Sequence, residues 1–325
     1  MPSRRIGRIV FGTFFALDLL VAAWLVYAWS FHRNSLVTMK LAIFSTFVSE
    51  PALFDGSAGP AAIDEFRRDP EALVDRYAEQ IADSFGTLDS LPQDIVPRAK
   101  SIAMSFSKNG GPGCGDPMPI VDKLGHLAAG NGNGCCSDHS EVFLALASVY
   151  GLQAREVTHA RHATNEVFDP ESKQWIYIDP QFAIMATDGR GKYLSLLDIR
   201  ETFDRGEQPV YEFFGNQHHE FATKPAIEHK YYDTRDDFDL VMVTMGNNVF
   251  ENDVFNETFA FVPKMLVQMI GFTVGPTPGY IVYSDPVIAE KYATLRFRFL
   301  AIASILTIGT LLYPLQVAIE FCRNR

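Results

Sequence analysis

Between Asp138 and Asp179 the apolar pattern changes period once, and that change restricts the chain to a mixed fold. Asp138, Ser140 and Glu141 favour a helix first turn, and Val142, Phe143, Leu146, Val149 and Tyr150 then recur at helical spacing until Gly151 supplies a stop. After Val157 the period falls to two, over His162 to Phe168, a turn at Asp169-Pro170-Glu171-Ser172, and Trp175 to Asp179. A helix followed by a hairpin predicts an α+β domain.

Upstream, Asp69, Pro70 and Glu71 make a helix start, with Leu73, Val74, Tyr77, Ile81 and Phe85 on one face and Gly86 closing it. A second helix is predicted after Pro97, a loop at Asn109 to Pro117, and a third helix around Ile120 to Ala129. Downstream of Pro180, the apolar runs Val210–Phe214, Leu240–Met245, Phe259–Val262 and Tyr280–Tyr283 predict further strands of unspecified order.

The helix of the opening stretch starts with two adjacent cysteines, Cys135 and Cys136. A helix N-terminus and a nearby imidazole both favour a thiolate, the nucleophilic form of the side chain. If a four-residue loop is closed by Phe168 and Lys173, His162 falls opposite Asp179, and directly opposed residues share a face. A carboxylate there can orient the ring, giving nucleophile, base and orienter. The alternative is a buried apolar cysteine and a satisfied core histidine.

The segment GCCSDHSEVFLALASVYGLQAREV followed by HATNEVFDPESKQWIYIDP resembles the core of the transglutaminase-like superfamily over about 50 of 325 residues. The resemblance implies a papain-like α+β core, a helix packed on an antiparallel sheet, with Cys136 rather than Cys135 as nucleophile, His162 as base and Asp179 as orienter. It also implies cleavage or transfer of an amide or acyl group through a thioester, by a peptidase, an amidase or, less in keeping with ever-present water, a transamidase. Thr164 stands where family members often carry an aromatic residue, which predicts an altered cleft wall. Asn131 and Asn133 are candidate side-chain donors to an oxyanion hole with the Cys136 N–H, although GNGNG also reads as a tight turn. No cofactor or metal is expected: no calcium-loop spacing occurs, and adjacent His218 and His219 before Glu220 diverge too far to chelate.

The two ends add a second layer of expectation. Ile9 to Phe31 and Phe299 to Ile319 are each about the length of a membrane-crossing helix, so the fold class expected is this core flanked by N- and C-terminal transmembrane helices. Asp18 lies within the first. The expected divisions are 1–33, a cytoplasmic tip and span; 34–290, the soluble domain with its core at about 116–185; and 291–325, the second span and tail. Residues 34–290 carry 19 Lys and Arg against 37 Asp and Glu, a poor surface for nucleic acid, whose phosphates require clustered cations. By the positive-inside rule Arg4, Arg5 and Arg8 predict a cytoplasmic N-terminus, and with the bacterial, membrane-anchored type that the resemblance implies, the expected location is an inner membrane with the acidic domain in the periplasm or outside. In such an oxidising compartment Cys114 and Cys135 can pair, leaving Cys136 free. The expected partners are the membrane, a protein, peptide or amide-bearing envelope substrate, and membrane proteins. The competing function is a non-catalytic envelope component that uses this fold as an interaction platform in a polysaccharide or secretion assembly.

Overall fold

Pro70 fixes the backbone at the start of helix α1 (Glu71–Phe85), and Gly86, at φ +77°, ends it. Its apolar face buries Tyr77 and Ile81. This computed structural model describes residues 46–48, 66–86, 91–106, 118–130, 134–159, 162–215, 232–259, 261 and 279–284, with scattered positions within 13–27 and 286–322. Helix α2 (Ile95–Phe106) begins three residues earlier than the pattern predicts, with Pro97 in its first turn, where the missing N–H would have no internal partner. Helix α3 (Ile120–Ala129) has the predicted bounds.

Helix α4 (Cys136–Val149) is buried more completely than its spacing suggests, because Leu144, Ala145 and Ala147 are covered as well as Val142, Phe143 and Leu146. A helix apolar on all sides belongs inside a layer stack. Gly151, at φ +69°, reverses the chain after it, and Leu152 N–H donates to Ala147 O at 2.7 Å, the long-range bond of a Schellman turn.

The strands are β1 (Thr46–Phe47), β2 (Arg67–Arg68), β3 (Ala154–His159), β4 (His162–Asp169), β5 (Gln174–Asp179), β6 (Ile184–Thr187), β7 (Val210–Phe213), β8 (Leu240–Thr244), β9 (Gly246–Asn247) and β10 (Gly279–Ser284). Eight of them form one sheet in the order β1-β10-β8-β3-β4-β5-β6-β7, antiparallel except for the β1–β10 pair. Strands β2 and β9 make a small parallel pair apart from it. Two further α-helices of the sheet-bearing unit are α5 (Leu196–Asp204) and α6 (Val249–Thr258). The strand predicted at Phe259–Val262 does not form at its first residue, since Phe259 closes α6 by donating its N–H to Phe255 O. Asp69 completes that helix from far away in sequence, its carboxylate accepting the N–H groups of Phe250 and Glu251 at 3.1 and 2.8 Å.

Alternation along the strands builds two cores. Ala154, Val167, Ile176, Ile178 and Met185 pack against α1–α4 and α6, while Val157, Tyr177, Ile184 and Val243 pack with α5, Tyr232 and Phe238. The result is an α+β layer stack with α4 central against β3 and β4.

One expectation about the ends is overturned. Among the described residues no helix is long and apolar enough to cross a membrane, so the expected flanking transmembrane helices are not supported. A span needs about 20 continuous apolar helical residues. Most of Ile9–Phe31 and Phe299–Ile319, with Asp18, lies outside the described residues. By internal contacts the chain divides into Ser45–Asp285, which holds the sheet, and a unit of Met1–Phe44 with Pro286–Arg325, whose described positions are mainly helical.

Candidate active site

The two adjacent cysteines have separate fates. Cys135 is disulfide-bonded and, in an extended conformation, caps α4; Cys136 is a free thiol at the first helical position. Cys114, its expected partner, lies outside the described residues, as do Asn131, Asn133, His218, His219 and Glu220. Asp138 holds the helix entry by accepting the Cys135 N–H at 3.0 Å, and Lys123 pairs with Asp138 at 3.1 Å and with Glu141. Just before the cap, Gly134 has no room for a side chain: a Cβ there would lie 2.5 Å from Leu127 Cδ2 and 3.2 Å from His139 Cε1.

The hairpin brings the second and third residues together, in a register different from the one expected. Strand β4 pairs with β5 through Phe168↔Trp175 and Asp169↔Gln174, so the loop is Pro170 to Lys173. Asp169 sets it, accepting the N–H groups of Glu171 and Ser172 at 3.1 and 3.3 Å, and Lys173 closes it at φ +54°. The pairing is offset by two from the predicted one, which makes Asp179 a diagonal rather than a direct neighbour of His162. An offset of two preserves the face, and an offset of one would have separated the pair. The His162 Nε2–H therefore still donates to Asp179 Oδ2, at 2.6 Å.

His162 is the first residue of β4 and Asp179 the last of β5, so both lie at one end of the sheet. Cys136 comes to that end from α4, where its sulfur interacts with the His162 ring and with the Ala163 N–H. With Nε2 engaged by Asp179, Nδ1 is the ring nitrogen left for the thiol. Burial opposes ionisation of Cys136, yet the hydrogen bond and charge of His162 outweigh it and hold the thiol below its ordinary value. Burial likewise opposes the charged ring of His162, but the Asp179 carboxylate, followed by the thiol, raises it to about 10. Asp179 is held low against burial, chiefly by the charge of His162. All three shifts favour a thiolate–imidazolium–carboxylate row at neutral pH.

Behind the row lies a buried polar set with no obvious sequence signal. Tyr232 donates its hydroxyl to the same Asp179 Oδ2, Tyr177 and Tyr232 share a hydroxyl contact at 2.9 Å, and His159 Nε2 meets Tyr177 Oη at 3.0 Å. Thr164 is fully buried and donates to Val157 O at 3.3 Å, so it belongs to the hairpin interior and forms no cleft wall. Arg155 and Glu166, directly opposed on β3 and β4, form a fully buried ion pair at 2.7 Å, with Arg155 3.9 Å above the Trp175 ring. No acidic or His/Cys cluster among the described residues has the arrangement of a metal site. A cavity of about 560 Å³ between α1, α3 and α6 is lined by Arg76, Tyr77, Asp122, Asp253 and Glu257, and none of Cys136, His162 or Asp179 borders it.

Neither a protein-family model, nor a curated protein, nor a solved structure matches this chain. The site's chemistry therefore rests on its own geometry.

Proposed function

We propose that this protein is a transglutaminase-like thiol enzyme that breaks an amide or related acyl bond through a thioester on Cys136. The Cys136 thiolate attacks the carbonyl carbon, forming the C–S bond, and the His162 imidazolium gives its proton to the departing amine as the C–N bond breaks. The neutral ring then takes a proton from water, whose oxygen attacks the thioester, breaking the C–S bond and restoring the thiolate. Asp179 keeps the ring oriented and charged between these steps. The Cys136 N–H, at the first position of α4, is among the amides a helix leaves without an internal acceptor, so it is available to a developing oxyanion. Water is the favoured acceptor because it is always present, and an amine would make the same chemistry a transamidation.

The observation that supports this reading is the 2.6 Å His162–Asp179 bond together with the free helix-terminal thiol of Cys136 that interacts with the same ring. Alkylation of Cys136 by iodoacetamide tests it, read by peptide mapping with Cys136→Ser as the site control. The wild-type rate at pH 6 should exceed that of His162→Ala by about tenfold or more, because an ordinary thiol with a pKa of about 8.5 is scarcely ionised there. Equal rates in the two proteins would sink the proposal.

A further inference from the structure

We propose that Tyr232 is a positioning residue of this site, the last donor of a proton-ordered hydrogen-bond chain that runs from His159 through Tyr177 into the Asp179 carboxylate. The proposal rests on the reading of Cys136, His162 and Asp179 as a catalytic row.

The order of the protons follows from the carboxylate end. An ionised carboxylate only accepts, so the Tyr232 hydroxyl hydrogen must point at Asp179 Oδ2. That hydroxyl has a single hydrogen, so toward Tyr177 its oxygen accepts, and the Tyr177 hydrogen is the one shared at 2.9 Å. Tyr177 in turn has none left for His159, so His159 Nε2 carries the hydrogen at the 3.0 Å contact. The remaining nitrogen, His159 Nδ1, is then a bare acceptor, and it is the His159 ring atom that is buried with no hydrogen-bond partner among the described residues. A stranded N–H at that position would be the costlier arrangement. Burial, with the charge of Asp179 next, pushes both phenols well above their ordinary range, so each keeps its hydrogen. Burial and the charge of His162 hold His159 neutral.

Packing alone does not call for these groups. His159 stacks on Phe238 at 4.6 Å between ring centres with planes 5° apart, Tyr211 lies 4.9 Å from Tyr232, and the surroundings are the apolar cluster beneath the sheet. Polar groups in such a place are costly unless mutually satisfied. What the chain supplies is a dipole aimed at the oxygen that also receives His162, drawing charge from it. The titratable groups facing Asp179 among the described residues are His162 from β4, Cys136 from α4, Tyr177 on its own strand and Tyr232 ahead of β8, with His159 of β3 and Tyr211 of β7 behind them.

With the Tyr232 donor removed, the carboxylate is less quenched, so both it and the nearby thiolate take up protons more readily. The test is the pH profile of Cys136 alkylation by iodoacetamide in the full chain, with folding followed by circular dichroism. In Tyr232→Phe the acid limb should move up by about one pH unit, and in Tyr177→Phe it should move the same way by roughly half as much. Tyr177→Phe carries the test alone if Tyr232→Phe does not fold. A lower rate with an unmoved limb in the folded variants would mean simple packing and overturn the chain's role while leaving the thiol enzyme intact. A wild-type profile like that of a free thiol would overturn both.

Discussion

Asp179 accepts four hydrogen bonds and offers none: the His162 ring and the Tyr232 hydroxyl reach Oδ2, and the N–H groups of Gln181 and Phe182 reach Oδ1 at 2.9 and 3.2 Å. An amide cannot replace it, because an NH₂ group would face at least one of these donors on whichever side it took. Asp179→Asn should therefore cost about 3 kcal/mol, as expected for breaking a buried charged pair, and should return Cys136 alkylation at pH 6 to the level of an ordinary thiol. A urea denaturation midpoint and the alkylation rate check the two halves separately. At this scale the sequence was legible in part. The helix start at the two cysteines and the hairpin pairing of His162 with Asp179 could be read from pattern, while the choice of Cys136 over Cys135 came from the family resemblance. Tyr232 carries no such mark, and it reaches Asp179 from 53 residues away.

The elements carry the site by their ends. Helix α4 presents the thiol because its entry is fixed three ways, by the Cys135 cap, by the Asp138 carboxylate on the Cys135 N–H, and by Gly134, which lets Leu127 and His139 close over the approach. Leu127 and His139 are both buried, so neither has free space to yield. Gly134→Ala should cost about 1–3 kcal/mol through overpacking and slow Cys136 alkylation more than it lowers the melting temperature would suggest, since the thiol moves with the cap. Comparing Gly134→Ala with Gly86→Ala, where a Cβ meets nothing within 4 Å but φ is +77°, separates crowding from backbone strain: only the first should alter the thiol. The helix and hairpin could be read from periodicity alone. Their register could not, because both Phe168 and Asp169 are plausible closing residues until the Asx bonds of Asp169 and the left-handed Lys173 are seen to choose between them.

Across the whole molecule, the site couples stability to pH. His162 is raised from 6.5 to about 10, so its charged form contributes stability that is full below about pH 6.5 and disappears as pH rises through about 10. Asp179, held below 3.8, contributes in the opposite sense, with stability present above that value and lost as pH falls through its lowered folded value. The stability advantage of wild type over His162→Gln should consequently be largest near neutrality and shrink steadily between pH 6.5 and 10, as measured by thermal unfolding of both proteins at matched pH. An advantage that does not change over that interval would show that the ring is not held charged. The α+β stack itself was foreseen from one change of period, and its helix-on-sheet layering follows from the need of each apolar face for a cover. Flanking membrane helices were expected from apolar length, and among the described residues no helix is long and apolar enough to cross a membrane. Local pattern determined which segments became helix or strand and which side chains shared a face, because those depend on periods of 3.6 and 2 written along the chain. Strand order, the two-residue shift of the hairpin, and the meeting of Tyr232, Tyr177 and His159 behind Asp179 were decided only in three dimensions, where distant groups compete for the same buried oxygen and satisfying it selects one arrangement.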